Sequence, residues 1–171
     1  MVKASRINIR NLALTSLFSA IIFIEKIIVP APYDKFVSLF VQAALLMLGY
    51  LIMGLVGSFY ISILSGILLA FIRNEFALMT LSLSVAYGVS LGLSAKILRV
   101  KSEGSIKSKR LILSSTISSA IIGSISIAVT MILDLIPMNL GLIIAMFIGG
   151  LVQGALGGYL AGILWRRYIT I

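Results

Sequence analysis

The residues able to do chemistry are few. The chain of 171 residues contains no Cys and no His. That excludes thiol nucleophiles, disulfides, Cys- or His-based metal sites and imidazole acid–base work. No phosphate-binding glycine loop is present. Five acids, fourteen bases and a small set of amides and phenols remain. Eight polar residues gather where apolar stretches end: Glu25, then Tyr33 and Asp34, then Arg73, Asn74 and Glu75, then Asp134 and Asn139. Three successive loops therefore each carry an acid, and Lys35 and Arg73 add bases to two of them. No paired carboxylates sit inside an apolar stretch, so these groups are expected to bind rather than to catalyse. Ion pairs and hydrogen bonds to a polar or charged ligand are the chemistry open to them. The eight form the predicted substrate-binding set, with no catalytic residue, metal site or cofactor, and the protein is read as not an enzyme.

Glu25 is the sharpest member. It interrupts an apolar run, where a charge is costly and normally faces a protein interior or cavity. Its neighbour Lys26 points about 100° away on a helix, so it is not the natural partner. Lys26 is expected to snorkel, and Arg73 is the expected partner for an acid in such a pocket.

The elements that must position these residues follow from composition. Hydrophobic residues make up 60% of the chain, charged ones 11%, and the mean hydropathy is +1.17. Soluble domains carry about 25% charged residues. A soluble shell cannot be built here, and the chain reads as an integral membrane protein, a single all-α domain over 1–171. Residues 36–72 contain no charge. As one helix they would be about 55 Å long, against a hydrocarbon core of about 30 Å. They should be two spans, with Gly49, Gly54 and Gly57-Ser58 the candidate breakers and the turn expected near 54–58. The expected spans are 11–29, 36–54, 57–72, 77–98, 111–133 and 140–165. The first resembles a signal peptide in its basic start, but Glu25-Lys26 and Pro30 spoil the apolar core and the cleavage site, so a retained helix is expected.

Charge placement tests this map. With six spans, one side collects Lys3, Arg6, Arg10, the basic segment 96–110, Arg166 and Arg167, eleven of the fourteen bases. The other side holds four of the five acids. The positive-inside rule then places both termini in the cytoplasm, in a multi-pass protein of the cell membrane. The formal charge of +9 is topology, with contact to anionic lipid, and not a nucleic-acid signature.

Small residues recur at helical spacing. Gly150, Gly154, Gly158 and Gly162 lie every four residues along the last span. Ser115, Ser119 and Gly123 repeat the spacing in the fifth, Gly88 and Gly92 in the fourth, and Ala13, Ser16 and Ala20 mark the first. Such ladders let helix backbones approach closely in lipid. They serve either packing within the bundle or docking of a membrane partner, and Ala13, Ser16 and Ala20 are the candidate partner surface. Gln42 and Gln153, the amides inside spans, are expected to bond across helices.

Taken together, the first-span patch Ala13, Ser16 and Ala20, the joined second and third spans at Gly54 and Gly57, the polar turn Arg73-Asn74-Glu75 and the stretch Gly149–Gly158 resemble the substrate-binding S components of energy-coupling factor (ECF) vitamin transporters. The layout is most similar to members serving thiamine or its hydroxymethylpyrimidine precursor. The resemblance implies a vitamin or cofactor precursor held at the outer face by Tyr33-Asp34, Arg73–Glu75 and Asp134–Asn139. It also implies association with a membrane coupling (T) component and two ATPase subunits, the first-span patch facing the coupling protein. The lone Trp165 falls at the cytoplasmic end and cannot stack on a ligand outside. The competing expectation is a scaffold or assembly subunit, not involved in transport, that recruits a membrane partner through the glycine ladder.

Overall fold

The computed structural model describes residues 9–29, 34–72, 74–102, 105–133 and 139–169. Six α-helices follow one another: α1 (Ile9–Ile28), α2 (Asp34–Met53), α3 (Leu55–Ile72), α4 (Ala77–Ile97), α5 (Ser108–Ile132) and α6 (Leu140–Leu164). Five stretches are long and apolar enough to cross a membrane, and Val37–Met53 within α2 is a shorter apolar helix of 17 residues. Each agrees with an expected span to within a few residues. The bundle is all-α save for a two-residue antiparallel ladder, β1 (Lys101–Ser102) with β2 (Ser105–Ile106).

The distribution of side chains is the reverse of a soluble core. Ser58, Ser62, Ser65, Ser114, Ser115, Ser118 and Ser119 are buried, while Ile132 is 80% exposed and Leu78 79%. Large apolar groups coat the outside of the helices, least on the central α2, whose Ala43, Ala44, Leu46, Met47 and Leu51 are buried. In water such a coat would be an enormous exposed patch. In hydrocarbon it costs nothing, and the small residues inside let the backbones come close. This is the architecture of a multi-pass membrane protein.

Helix contacts give the order. α3 packs on α4, α4 on α5, α5 on α6, and α6 returns to α2, while α1 covers α2 and α3. α2 and α3 are joined by Gly54 alone, at φ +72°. That conformation favours glycine, and it reverses the chain in one residue. Below the turn the two helices touch through Gly49 and Gly57: a Cβ on Gly57 would meet the Gly49 carbonyl oxygen. The expected turn near 54–58 is thus placed at Gly54.

The basic segment after α4 is folded, not a free loop. Val100 is fully buried, and the Lys107 N–H donates to its carbonyl at 3.1 Å. The segment docks under the end of the bundle that also holds the start of α1, the Gly54 turn and the end of α6. At that end Arg166 donates to Ser108 Oγ at 2.7 Å, and a π-helical turn (Trp165–Ile169) finishes the described chain.

Candidate functional site

A belt of hydroxyls and amides crosses the bundle at half height. Ser19 of α1 donates to the Ile61 carbonyl of α3 at 3.2 Å. Ser84 of α4 donates to the Ser62 carbonyl at 2.8 Å and meets Ser65 Oγ at 3.4 Å. Gln42 of α2 donates to Ser84 Oγ at 3.5 Å. Tyr87, only 1% exposed, shares a 2.7 Å bond with Ser119 of α5. Ser119 in turn lies against Gly154 of α6. α1 to α5 each contribute a hydroxyl or amide near the middle of the helix, and α6 packs Gly154 against them. Hydroxyls can serve here because a serine also satisfies itself on its own helix, as Ser62 does on Phe59 at 2.8 Å.

Gln153 is the exception. It is 8% exposed, and its amide oxygen is buried with no hydrogen-bond partner among the described residues. Its Nε2 would lie 3.9 Å from a Cβ on Gly149, so the side chain runs along α6 toward the helix start. The Ser115 hydroxyl is likewise buried without a partner. Of the two interior amides, Gln42 bonds across helices, whereas the oxygen of Gln153 is an acceptor that meets no donor among the described residues.

Between the belt and the end of the bundle opposite the basic segment lies Glu25. It is six residues beyond Ser19 on α1, about 9 Å along the axis. Its side chain is half-buried, and both carboxylate oxygens are sheltered from solvent. Asn74 and Glu75 form an exposed 3₁₀ turn (Asn74–Phe76) at the same end. Asn139 is exposed and caps α6, its Oδ1 accepting from the Gly141 N–H at 2.9 Å. That cap gives Asn139 a local task whatever else it touches. Asp34 begins α2. Tyr33, Arg73 and Asp134 lie outside the described residues. The end of the bundle that carries Glu25, Asp34, Glu75 and Asn139 is therefore one end, as the span map requires. No group of three or more metal-ligating residues occurs among the described residues.

The α5–α6 seam changes along its length. A Cβ on Gly158 would lie 2.9 Å from Ser115 Cβ, and one on Gly154 would strike Ser119. A Cβ on Gly150 would reach the Ser119 carbonyl only at 3.9 Å, and one on Gly123 would meet nothing within 4 Å. The two helices touch at mid-height and part toward the end that carries Glu25. An apolar cleft of about 370 Å³, lined by Ile127, Met131, Ile143 and Phe147 among others, fills the parting. The glycine ladder thus faces α5 of the same chain, and Gly157 beside it faces Phe40 and Ala43 of α2. By contrast Ala13 and Ser16 of α1 are exposed, with Ala20 half-buried.

Sequence reasoning missed the belt as a whole. Serine spacing held the signal: Ser58 and Ser62, and Ser114 and Ser118, stand four apart in helices otherwise rich in Ile and Leu. Comparison with protein-family models, curated proteins and solved structures returns no match for this chain.

Proposed function

We propose that this protein captures a small polar solute at the outer face of the cell membrane, as the substrate-binding subunit of an ECF-type importer. In this reading both termini and the basic end are cytoplasmic. The ligand is a vitamin or cofactor precursor, with thiamine-related compounds first to be tried. A membrane coupling component and two ATPases supply the work. The observation that carries the reading is the position of Glu25. A carboxylate sheltered from solvent beyond the polar belt, at the end of the bundle that also gathers Asp34 and Glu75, is a setting suited to a charged or polar ligand. No charged residue of the described helices lies at the level of the belt or within one turn of it, so no proton relay competes with this use. The exposed Ala13 and Ser16 leave small side chains on α1 open to a partner helix. The scaffold reading rested on the glycine ladder, and that ladder is already covered by α5.

The test is a binding panel on the purified chain: thiamine, its pyrimidine precursor, riboflavin, biotin and related compounds. One of them should bind below micromolar concentration, and Glu25→Gln should weaken it at least tenfold. Binding of none across a broad panel would sink the reading. The native chain has no cysteine, so single cysteines at positions 75 and 109 report orientation. Position 75 should label from outside intact cells and position 109 only after permeabilisation.

A further inference from the structure

A second cavity, of about 390 Å³, opens at the basic end of the bundle. It lies between the start of α1, the Gly54 turn and the β1–β2 hairpin. Asn11, Tyr50 and Lys101 supply its polar wall, and Met53 and Val56 its apolar one. The apolar wall continues outward, because Val56 is 47% exposed on the lipid-facing surface.

Lys101 is held in place. Its residue pairs with Ile106 across the hairpin, and Val100 before it is fully buried. The ammonium donates to the Leu51 carbonyl at 3.5 Å and lies 6.0 Å from the centre of the Trp165 ring. The ring face attracts the cation and fixes its position at the cavity wall. Eight further bases, from Arg10 to Arg167, are described at this end. All described acids (Glu25, Asp34 and Glu75) lie at the other. Among the described residues no acid lies at this end of the bundle.

We propose that this cavity seats the phosphate of an anionic membrane phospholipid. Lys101 and the Asn11 amide donate to the phosphate oxygens, and Met53 and Val56 receive the glycerol and first acyl carbons. A soluble anion would use the cation but not the apolar wall. A phospholipid uses both, and its phosphate sits at the depth where Trp and Tyr side chains collect. The local cation count favours anionic over zwitterionic lipid by attraction at the surface. The site is separate from the outer ligand region, and its failure would leave the capture reading untouched.

The experiment uses the full chain in detergent micelles. Phosphatidylglycerol, phosphatidylcholine and inorganic phosphate are each titrated, and retained lipid is counted by native mass spectrometry. Phosphatidylglycerol should be retained at least roughly fivefold better than phosphatidylcholine, the effect of about one well-placed lysine. Lys101→Gln should remove that preference, Lys101→Arg should keep it, and Lys109→Gln, an exposed base away from the cavity, should also keep it. Asn11→Leu should weaken the preference and carries the test if Lys101→Gln does not fold. Equal retention of the two lipids would overturn the proposal. So would an equal loss in Lys109→Gln, which marks diffuse attraction, or displacement of the lipid by millimolar inorganic phosphate, which marks a free-anion site.

Discussion

Gly154→Ala is the substitution that tests the packing most directly. A Cβ there would collide with Ser119 Oγ, lie 2.6 Å from Ser119 Cβ and lie 2.9 Å from the Ser115 carbonyl oxygen. The hydroxyl can rotate away, but Cβ and the carbonyl are fixed to the α5 backbone. Carbon atoms rest at about 3.5–4.0 Å, so α5 and α6 must part by about 1 Å. Overpacking of this kind costs about 1–3 kcal/mol. Replacing a helical glycine by alanine also brings a propensity gain of up to about 1 kcal/mol, which blurs the single measurement. Gly123→Ala supplies the control, because it sits in the same seam with nothing within 4 Å. The propensity gain cancels between the two variants and leaves the collision alone. Gly154→Ala should therefore be less stable than Gly123→Ala by about 1–3 kcal/mol, about 5- to 150-fold in the unfolding equilibrium. Reversible unfolding in mixed detergent micelles, followed by circular dichroism, reads the difference. Equal stability of the two variants would refute the close α5–α6 approach.

Two other variants probe the turn and the belt in the same assay. Gly54→Ala meets no neighbour within 4 Å but must hold φ +72°, so it should lose about 1–2 kcal/mol, with Gly54→Asn losing less. Tyr87→Phe removes the 2.7 Å bond to Ser119 without changing volume, and should cost about 0.6–2 kcal/mol, with a double-mutant cycle against Ser119→Ala showing coupling of that size.

The helices were legible because hydrocarbon imposes a length. A charge-free stretch twice as long as the bilayer is thick must turn, and Gly54 was among few residues able to turn it. The ladder at Gly154 and Gly158 was legible as a close contact, since several glycines in register on one helical face let another backbone approach. Its partner was not, because a glycine face says nothing about which helix fills it; only the fold brings Ser115 and Ser119 opposite. The belt was hidden for a related reason. A serine in an apolar helix satisfies its hydroxyl on its own backbone, so its type alone does not announce that it also reaches a neighbour, as Ser84 does to Ser62. The docked hairpin escaped because a run of bases reads as solvated, and the burial of Val100 between them depends on tertiary contact. Of the proposed binding set, Glu25 stood out in the sequence by the cost of its setting, while Asn139 carries a capping role that loop position did not distinguish from binding.

The contact between α2 and α6 has a consequence for how the protein is made. Phe40 and Ala43 lie near the start of the chain and Gly157 near its end. At ordinary synthesis rates about 10 s separates their emergence from the ribosome. During that interval α2 is already in the membrane with Gln42 and its alanines facing either lipid or an insertion chaperone. The bundle cannot close until the last helix arrives, so quality control in the membrane has a simple signal to read. A chain cut short before α6 presents an uncovered central helix, and should be the preferred substrate of membrane proteolysis.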